Sequence, residues 1–165
     1  MLQPLMRRTW APRGQTPVLK SWDRRDRLSV ISAITVSPQR RRFGFYFQVL
    51  DRNQNANNLH VSKFLTALRR RLGRAMVVVW DRLNAHKTAA RILEARNSGY
   101  DFEWLPSYAP ELNPVEFIWG HTKYGDLANF AADDIDHLDD RLSESLDNTT
   151  HDLIASAFRH ASLPI

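Results

Sequence analysis

The 165 residues contain no cysteine. That absence excludes disulfides and thiolate zinc sites together, and it fits a reducing compartment. The six histidines, at 60, 86, 121, 137, 151 and 160, show no paired ligand spacing, so a histidine-based transition-metal site is not expected either. No apolar run approaches the roughly 18 residues of a membrane span, and the first residues lack the apolar core of a signal peptide. A soluble, cytoplasmic protein with no membrane partner is the expectation.

Acids are scarce in the first half of the chain. Residues 1–75 hold 16 Lys and Arg against three Asp and Glu, whereas residues 76–165 hold seven against 15. The net charge of +5 thus hides a basic half and an acidic half. Such a split offers a face to a polyanion and gathers carboxylates where a cation could be held. The plainer account is that the two halves neutralise each other in the fold. At this length one domain over 1–165 is expected, large enough to bury roughly 70 % of its unfolded surface.

Residues 1–20, with Pro4, Pro12, Gly14 and Pro17, carry too many breakers for a helix and read as extended and turn-rich. After a polar stretch containing Asp23 and Asp26, Leu28–Val36 is β-branched and reads as a strand. Ser37-Pro38 and Arg40-Arg41-Arg42 make a turn, and Phe43–Leu50 is its antiparallel partner. The aromatics Phe43, Tyr46 and Phe47 are expected in the core. His60–Leu72 places Val61, Phe64, Leu65, Leu68 and Leu72 at helical spacing, with Lys63, Arg69, Arg70 and Arg71 opposite and Gly73 as its stop.

Met76–Trp80 is a short apolar run of the kind that fills a buried sheet. A helix over 85–96 with Asn84 as its N-cap, a strand over 102–105, a loop from Pro106 to Leu112 and a helix opening at Asn113 follow. That last helix continues loosely to about Ala128. Two more helices fall at 133–146 and 152–160. Strands joined through helices must run parallel, which makes the class α/β with a mixed sheet flanked by helices.

Two carboxylates stand out in this order. Asp81 ends the strand at 76–80, and Glu116 lies on the first turn of the helix at 113, with 34 residues between them. Both have modest readings. Asn113-Pro114-Val115-Glu116 is a good capping box, and Asp81 could cap the turn that follows it. Yet both lie where parallel sheets place their sites. If they converge, their repulsion calls for a cation, and hard oxygen donors favour Mg²⁺ or Mn²⁺. His86, five residues after Asp81, reads either as a rim residue of such a site or, more commonly for its type, as a group that only hydrogen-bonds locally.

The stretches Val79-Trp-Asp-Arg-Leu-Asn-Ala-His86 and Leu105-Pro-Ser-Tyr-Ala-Pro-Glu-Leu-Asn-Pro-Val-Glu-Phe-Ile-Trp119 resemble the DDE-superfamily endonuclease domain of bacterial insertion-sequence transposases related to Tc/mariner. So do Arg8–Gly14 and Phe158–Pro164. The resemblance covers nearly the whole chain, and the interval between Asp81 and Glu116 matches that family's second and third acids. It implies a ribonuclease H-like fold and divalent-metal cleavage and transfer of DNA strands. Asp81 and Glu116 become the catalytic, metal-binding acids. The family's first acid has no counterpart, so the domain is expected to be N-terminally truncated, its first strand largely missing. Asp51 is the nearest substitute and a poor one.

Three carboxylates of this kind hold two Mg²⁺ ions roughly 3.5–4 Å apart. With two acids, Mg²⁺ or Mn²⁺ binding is expected to be weak and the chain inactive as written. The expected partner is DNA, both transposon ends and target, contacted by Arg40, Arg41, Arg42, Arg69, Arg70 and Lys123. A homodimer and nucleoid association go with that partner, and no small-molecule cofactor does. The alternative is a non-catalytic DNA-binding or regulatory remnant working through the basic N-terminal half. A plainer one still is a product with no selected activity, poorly folded for want of a central strand.

Overall fold

The computed structural model describes residues 7–8, 10–18, 27–96 and 99–163. The polar stretch around Asp23 and Asp26 lies outside them. The described part of the N-terminal segment, residues 7–8 and 10–18, is exposed and without helix or strand. It is tethered by Arg7, whose backbone N–H donates to Asn129 Oδ1 at 2.7 Å and whose guanidinium donates to the Tyr124 carbonyl at 2.6 Å.

The predicted hairpin forms from β1 (Val30–Val36) and β2 (Phe43–Val49), antiparallel with Val30 opposite Val49 and Val36 opposite Phe43. Its period-two pattern feeds two cores. Ile31, Ala33 and Tyr46 project to one side, and Val30, Phe45, Phe47 and Val49 to the other. Phe43 meets Phe158, ring centroids 6.1 Å apart. The aromatic run is packing, as its residue types indicate.

Helix α1 (Asn58–Leu72) begins two residues before its predicted start, because Asn57 Oδ1 accepts from the N–H groups of Leu59 and His60 at 3.0 and 3.1 Å. It ends where Gly73, at φ +66°, returns its N–H to the Arg69 carbonyl. β3 (Met76–Trp80), α2 (Asn84–Ala95) and β4 (Tyr100–Trp104) complete a β-α-β unit with β3 and β4 parallel in register. Val61, Phe64, Leu65 and Leu68 of α1 and Ala89, Ala90 and Leu93 of α2 bury against Trp80, with Met76, Val78, Tyr100, Phe102 and Trp104 packed around them. The hairpin's Ile31 and Ala33 join this same cluster.

The expected mixed sheet appears as two ribbons, β1–β2 and β3–β4, not hydrogen-bonded to each other. Ser29 and Ser37 bond across to Leu50 and Arg42. By antiparallel alternation the backbone groups of Val30, Ser32, Ile34 and Val36 then face outward from β1. On β3, Met76 and Trp80 bond to the β4 side, so those of Val77 and Val79 face outward. The side chains of these two valines are 63% and 58% exposed.

Past a 3₁₀ turn at Pro110–Leu112, α3 (Pro114–His121) is shorter than predicted. It passes into one wide π turn, Thr122–Asp126, closed by the Leu127 N–H on the Thr122 carbonyl. Ser145 Oγ donates to Asp126 Oδ2 at 2.6 Å and fastens that turn to α4 (Ile135–Asp147). Leu138, Leu142 and Leu146 of α4, with Leu28, Leu127 and Ala132, form the second core, against which Trp119 of α3 packs. α5 (His151–His160) is capped by Thr150 and lies along α3. No helix among the described residues is long and apolar enough to cross a membrane.

Candidate active site

Parallel strands bring their C-terminal ends to one edge. The Leu105 N–H donates to the Trp80 carbonyl at 2.9 Å, and Arg82 Nε donates to the Leu105 carbonyl at 3.2 Å. The residue after β3 is Asp81, and the segment after β4 is the Pro-rich loop leading to Glu116. The edge of the β3–β4 ribbon therefore sets both predicted acids side by side.

Asp81 is held from one oxygen. Its Oδ1 accepts from the Leu83 N–H at 3.0 Å and from His86 Nδ1 at 2.6 Å. The His86 ring lies on Trp80, 4.9 Å away and 7° from parallel, and Trp80 continues the stack to Phe102 and Trp104. Asp81 thus caps the turn into α2, and Asn84, predicted as the cap, is that helix's first residue. Leu83 stands at the cap position without a side-chain bond, because the acid two residues earlier has satisfied its N–H. The second oxygen, Oδ2, has no partner among the described residues, and the side chain is 50% exposed.

Glu116 is less a capping residue than the sequence suggested. Asn113 does cap α3, accepting from the Val115 N–H at 3.3 Å. Its own N–H, which a capping box would offer to Glu116, donates instead to the Pro110 carbonyl at 3.0 Å. That leaves the Glu116 carboxylate without a hydrogen bond among the described residues. Partial burial raises its pKa from the ordinary value, and the charge of Asp81 adds to the rise. Its solvent-facing side screens both effects, so the rise is a direction and not a large energy.

Both acids line one cleft of about 520 Å³, together with Arg82, Lys87 and Tyr108. The sequence reading did not single out these last three, although all lie within or beside the two motif stretches. Among the described residues no third acid lines this cleft, and no group of three or more acids and histidines is placed to hold a metal ion. Asp51 serves its own turn, Oδ2 accepting from Gln54 Nε2 at 3.1 Å, and does not line the cleft. The cleft's donor set, two carboxylates with at least one free oxygen each, fits one hard divalent cation.

None of the six predicted DNA-binding cations lines this cleft. Arg40, Arg41 and Arg42 are exposed on the β1–β2 turn, where Ser37 Oγ accepts from the backbone N–H of Arg41 and Arg42, each at 3.1 Å. Arg69 lies over the Tyr100 ring at 5.6 Å and is only partly exposed, whereas Arg70 faces solvent. Lys123 sits over Tyr124, also at 5.6 Å.

Residues 2–139 match the family described as DDE superfamily endonuclease. Among solved structures the chain is similar to the Mos1 mariner paired end complex with Mn, at 15% identity and a TM-score of 0.63 over 98% of this chain and 50% of that one. It is similar to the Mos1 Strand Transfer Complex, at 15% identity and a TM-score of 0.64 over 97% and 48%. A pre-cleavage Mos1 transpososome gives 15% identity and 0.66 over 97% and 49%. The chain therefore spans about half the length of the structures it resembles. No curated protein matches it in sequence.

Proposed function

From the premise that this chain belongs to the DDE superfamily of endonucleases, we propose that its cleft is a site for cleaving and joining DNA strands in transposition. The observation that carries the proposal is the pairing of Asp81 and Glu116 across one cleft, each with an unused carboxylate oxygen. The two would hold one Mg²⁺ or Mn²⁺, and such a cation, when bound, polarises a phosphodiester oxygen and acidifies a water. The chain's own contributions are orientation and charge. His86 and the Leu83 N–H fix Asp81, and Arg82 and Lys87 supply positive charge for flanking phosphates.

With two acids from the described residues lining the cleft, a two-cation clamp is not built from them. We infer weak cation binding and strand cleavage near background for this chain alone. The relatives are complexes with paired transposon ends, so assembly of two copies on two DNA ends belongs to the same reading. Supercoiled DNA incubated with the chain and Mn²⁺ should stay largely intact. Rapid nicking that Asp81→Asn abolishes would overturn the inactivity, and Mn²⁺ binding indifferent to both Asp81→Asn and Glu116→Gln would overturn the site.

A second reading is favoured by the exposed Arg40–Arg42 turn, which stands apart from the cleft. In it the chain is a DNA-binding or regulatory module that needs no metal. Its affinity would fall steeply with salt as phosphate contacts are replaced by counterions, and would be the same with EDTA as with Mn²⁺.

A further inference from the structure

Tyr108 is fully exposed, at 100% of its accessible surface, and it holds a left-handed backbone conformation at φ +59°. Neither property has a packing explanation. A tyrosine in a loop ordinarily lays its ring on the nearest apolar surface, and a non-glycine residue in the left-handed region is strained unless its surroundings fix it. Here the surroundings do fix it. Pro106 and Pro110 bracket the loop and restrict its backbone, Ala109 receives the Leu112 N–H at 3.2 Å, and Pro110 receives that of Asn113 at 3.0 Å. Two prolines and two turn bonds bound the loop, and it lifts a flat ring into solvent.

The ring stands at the cleft that contains Asp81 and Glu116. Lys87 and Arg82 line the same cleft, both exposed, and Arg82 has its Nε bonded to the Leu105 carbonyl so that the end of its guanidinium is directed by the loop's own start. Carboxylates, cations and one open aromatic ring thus share a single concavity. Its volume, about 520 Å³, falls in the roughly 300–1,000 Å³ range of ligand clefts. A ring with both faces wet is the feature by which proteins hold unpaired nucleobases, since every base has a π-face whatever its sequence.

We propose that Tyr108 is a stacking platform for an unpaired nucleobase of the DNA strand whose phosphates lie against Lys87 and Arg82. The inference rests on the DNA-cleft reading given above and deepens it: the substrate is a strand locally out of its duplex, not an intact helix. Stacking makes the ring a positioning group, setting the phosphate next to that base at the two acids. Sequence preference from this contact is slight, because no base edge is read.

The test uses the whole chain with Ca²⁺ and a DNA duplex bearing a short 3′ single-stranded tail labelled with 2-aminopurine, whose emission falls on stacking. The unmodified chain should quench the label and bind the tailed duplex more tightly than the blunt one. Tyr108→Phe should retain both effects. Tyr108→Leu should lose the quenching and weaken tailed-duplex binding about tenfold, leaving blunt-duplex affinity and the salt dependence unchanged. Leu meets the same left-handed strain as Tyr, and an unaltered melting temperature would show that the fold is intact.

Lys87→Glu separates the two layers of the argument, since loss of a phosphate contact should lower the salt slope by about one. If Lys87→Glu weakens binding while Tyr108→Leu binds and quenches like the unmodified chain, the platform is overturned and the DNA cleft stands. If Tyr108→Phe behaves like Tyr108→Leu, the hydroxyl and not the ring makes the contact, and the platform is again overturned. If Lys87→Glu changes nothing and tailed DNA binds no better than blunt DNA, the DNA-cleft reading fails and the platform with it.

Discussion

His86 Nδ1 lies 2.6 Å from Asp81 Oδ1, and the same imidazole is stacked 4.9 Å from Trp80, the residue that ends β3. One side chain therefore joins the cleft to the core: its nitrogen orients the acid, and its face rests on a ring that is 7% exposed. Partners that orient a metal ligand typically change affinity 10- to 100-fold when removed. His86→Phe, which keeps a ring over Trp80 but offers no donor, should weaken Mn²⁺ binding about tenfold with little loss of stability. His86→Ala should do the same and in addition lose about 1 kcal/mol of stacking. Titration of Mn²⁺ by electron paramagnetic resonance beside a urea melt separates the two effects; equal Mn²⁺ affinity in His86→Phe and the unmodified chain would remove His86 from the site.

Glu116 gives a pH dependence with a definite sign. Its pKa in the fold is raised from the ordinary 4.5 by partial burial and by Asp81, so the folded chain holds the proton more firmly than the unfolded chain does. The contribution of Glu116 to stability is then greatest below about 4.5, is lost as the pH climbs from there through the raised folded value, and stays at the lower level above it. Glu116→Gln should melt higher than the unmodified chain at pH 7, the gap closing as the pH is lowered toward 4. Mn²⁺ should narrow the gap at pH 7 by stabilising only the ionised pair. A lower melting temperature for Glu116→Gln at pH 7 would mean that the carboxylate acts as a helix cap after all.

The elements were legible in the sequence wherever a single period governed a stretch. β1 and β2 alternate because both faces of the hairpin are packed, and α1 and α4 carry their leucines at helical spacing because each has one buried side. Boundaries failed where a distant group supplied the bond. Asn84 loses its cap role to Asp81, and the helix opening at Pro114 widens after His121 into a π turn that Ser145, on α4, fastens at Asp126. That Asp81 and Glu116 fall at one strand edge was legible from spacing and element order. That Glu116 is released from its capping box was not, since it depends on a backbone bond to Pro110. Tyr108 lies in the motif stretch, but its exposure was not legible there, because full exposure is a property of the fold.

Leu142 is wholly buried, at 0% exposure, in the cluster that also receives Trp119 from the helix bearing Glu116. Leu142→Ala removes three heavy atoms from a site closed on all sides, and such changes cost about 2–5 kcal/mol. A shift of the urea midpoint with unchanged slope is the expected result. The same variant, measured under conditions where it stays folded, should bind Mn²⁺ like the unmodified chain, since the core supports α3 and makes no contact with the cation.

Arg69 and the Arg40–Arg42 turn were grouped by charge in the sequence, and the fold separates them. The turn is exposed on three successive residues, whereas Arg69 is spread over Tyr100 at 5.6 Å and its Nε is buried without a hydrogen-bond partner. Replacing Arg40, Arg41 and Arg42 by Glu should therefore leave stability within about 0.5 kcal/mol, as for surface changes generally, while reducing the slope of log affinity for duplex DNA against log salt by about two to three. Arg69→Ala should do the reverse: a stability loss of about 1 kcal/mol from the lost cation–π contact and packed stem, with the salt slope retained. Anisotropy titrations at several salt concentrations, set beside thermal melts of the same two variants, distinguish a phosphate-binding surface from a charge used inside the fold, and a salt slope that falls as far in Arg69→Ala as in the triple variant would return Arg69 to the DNA.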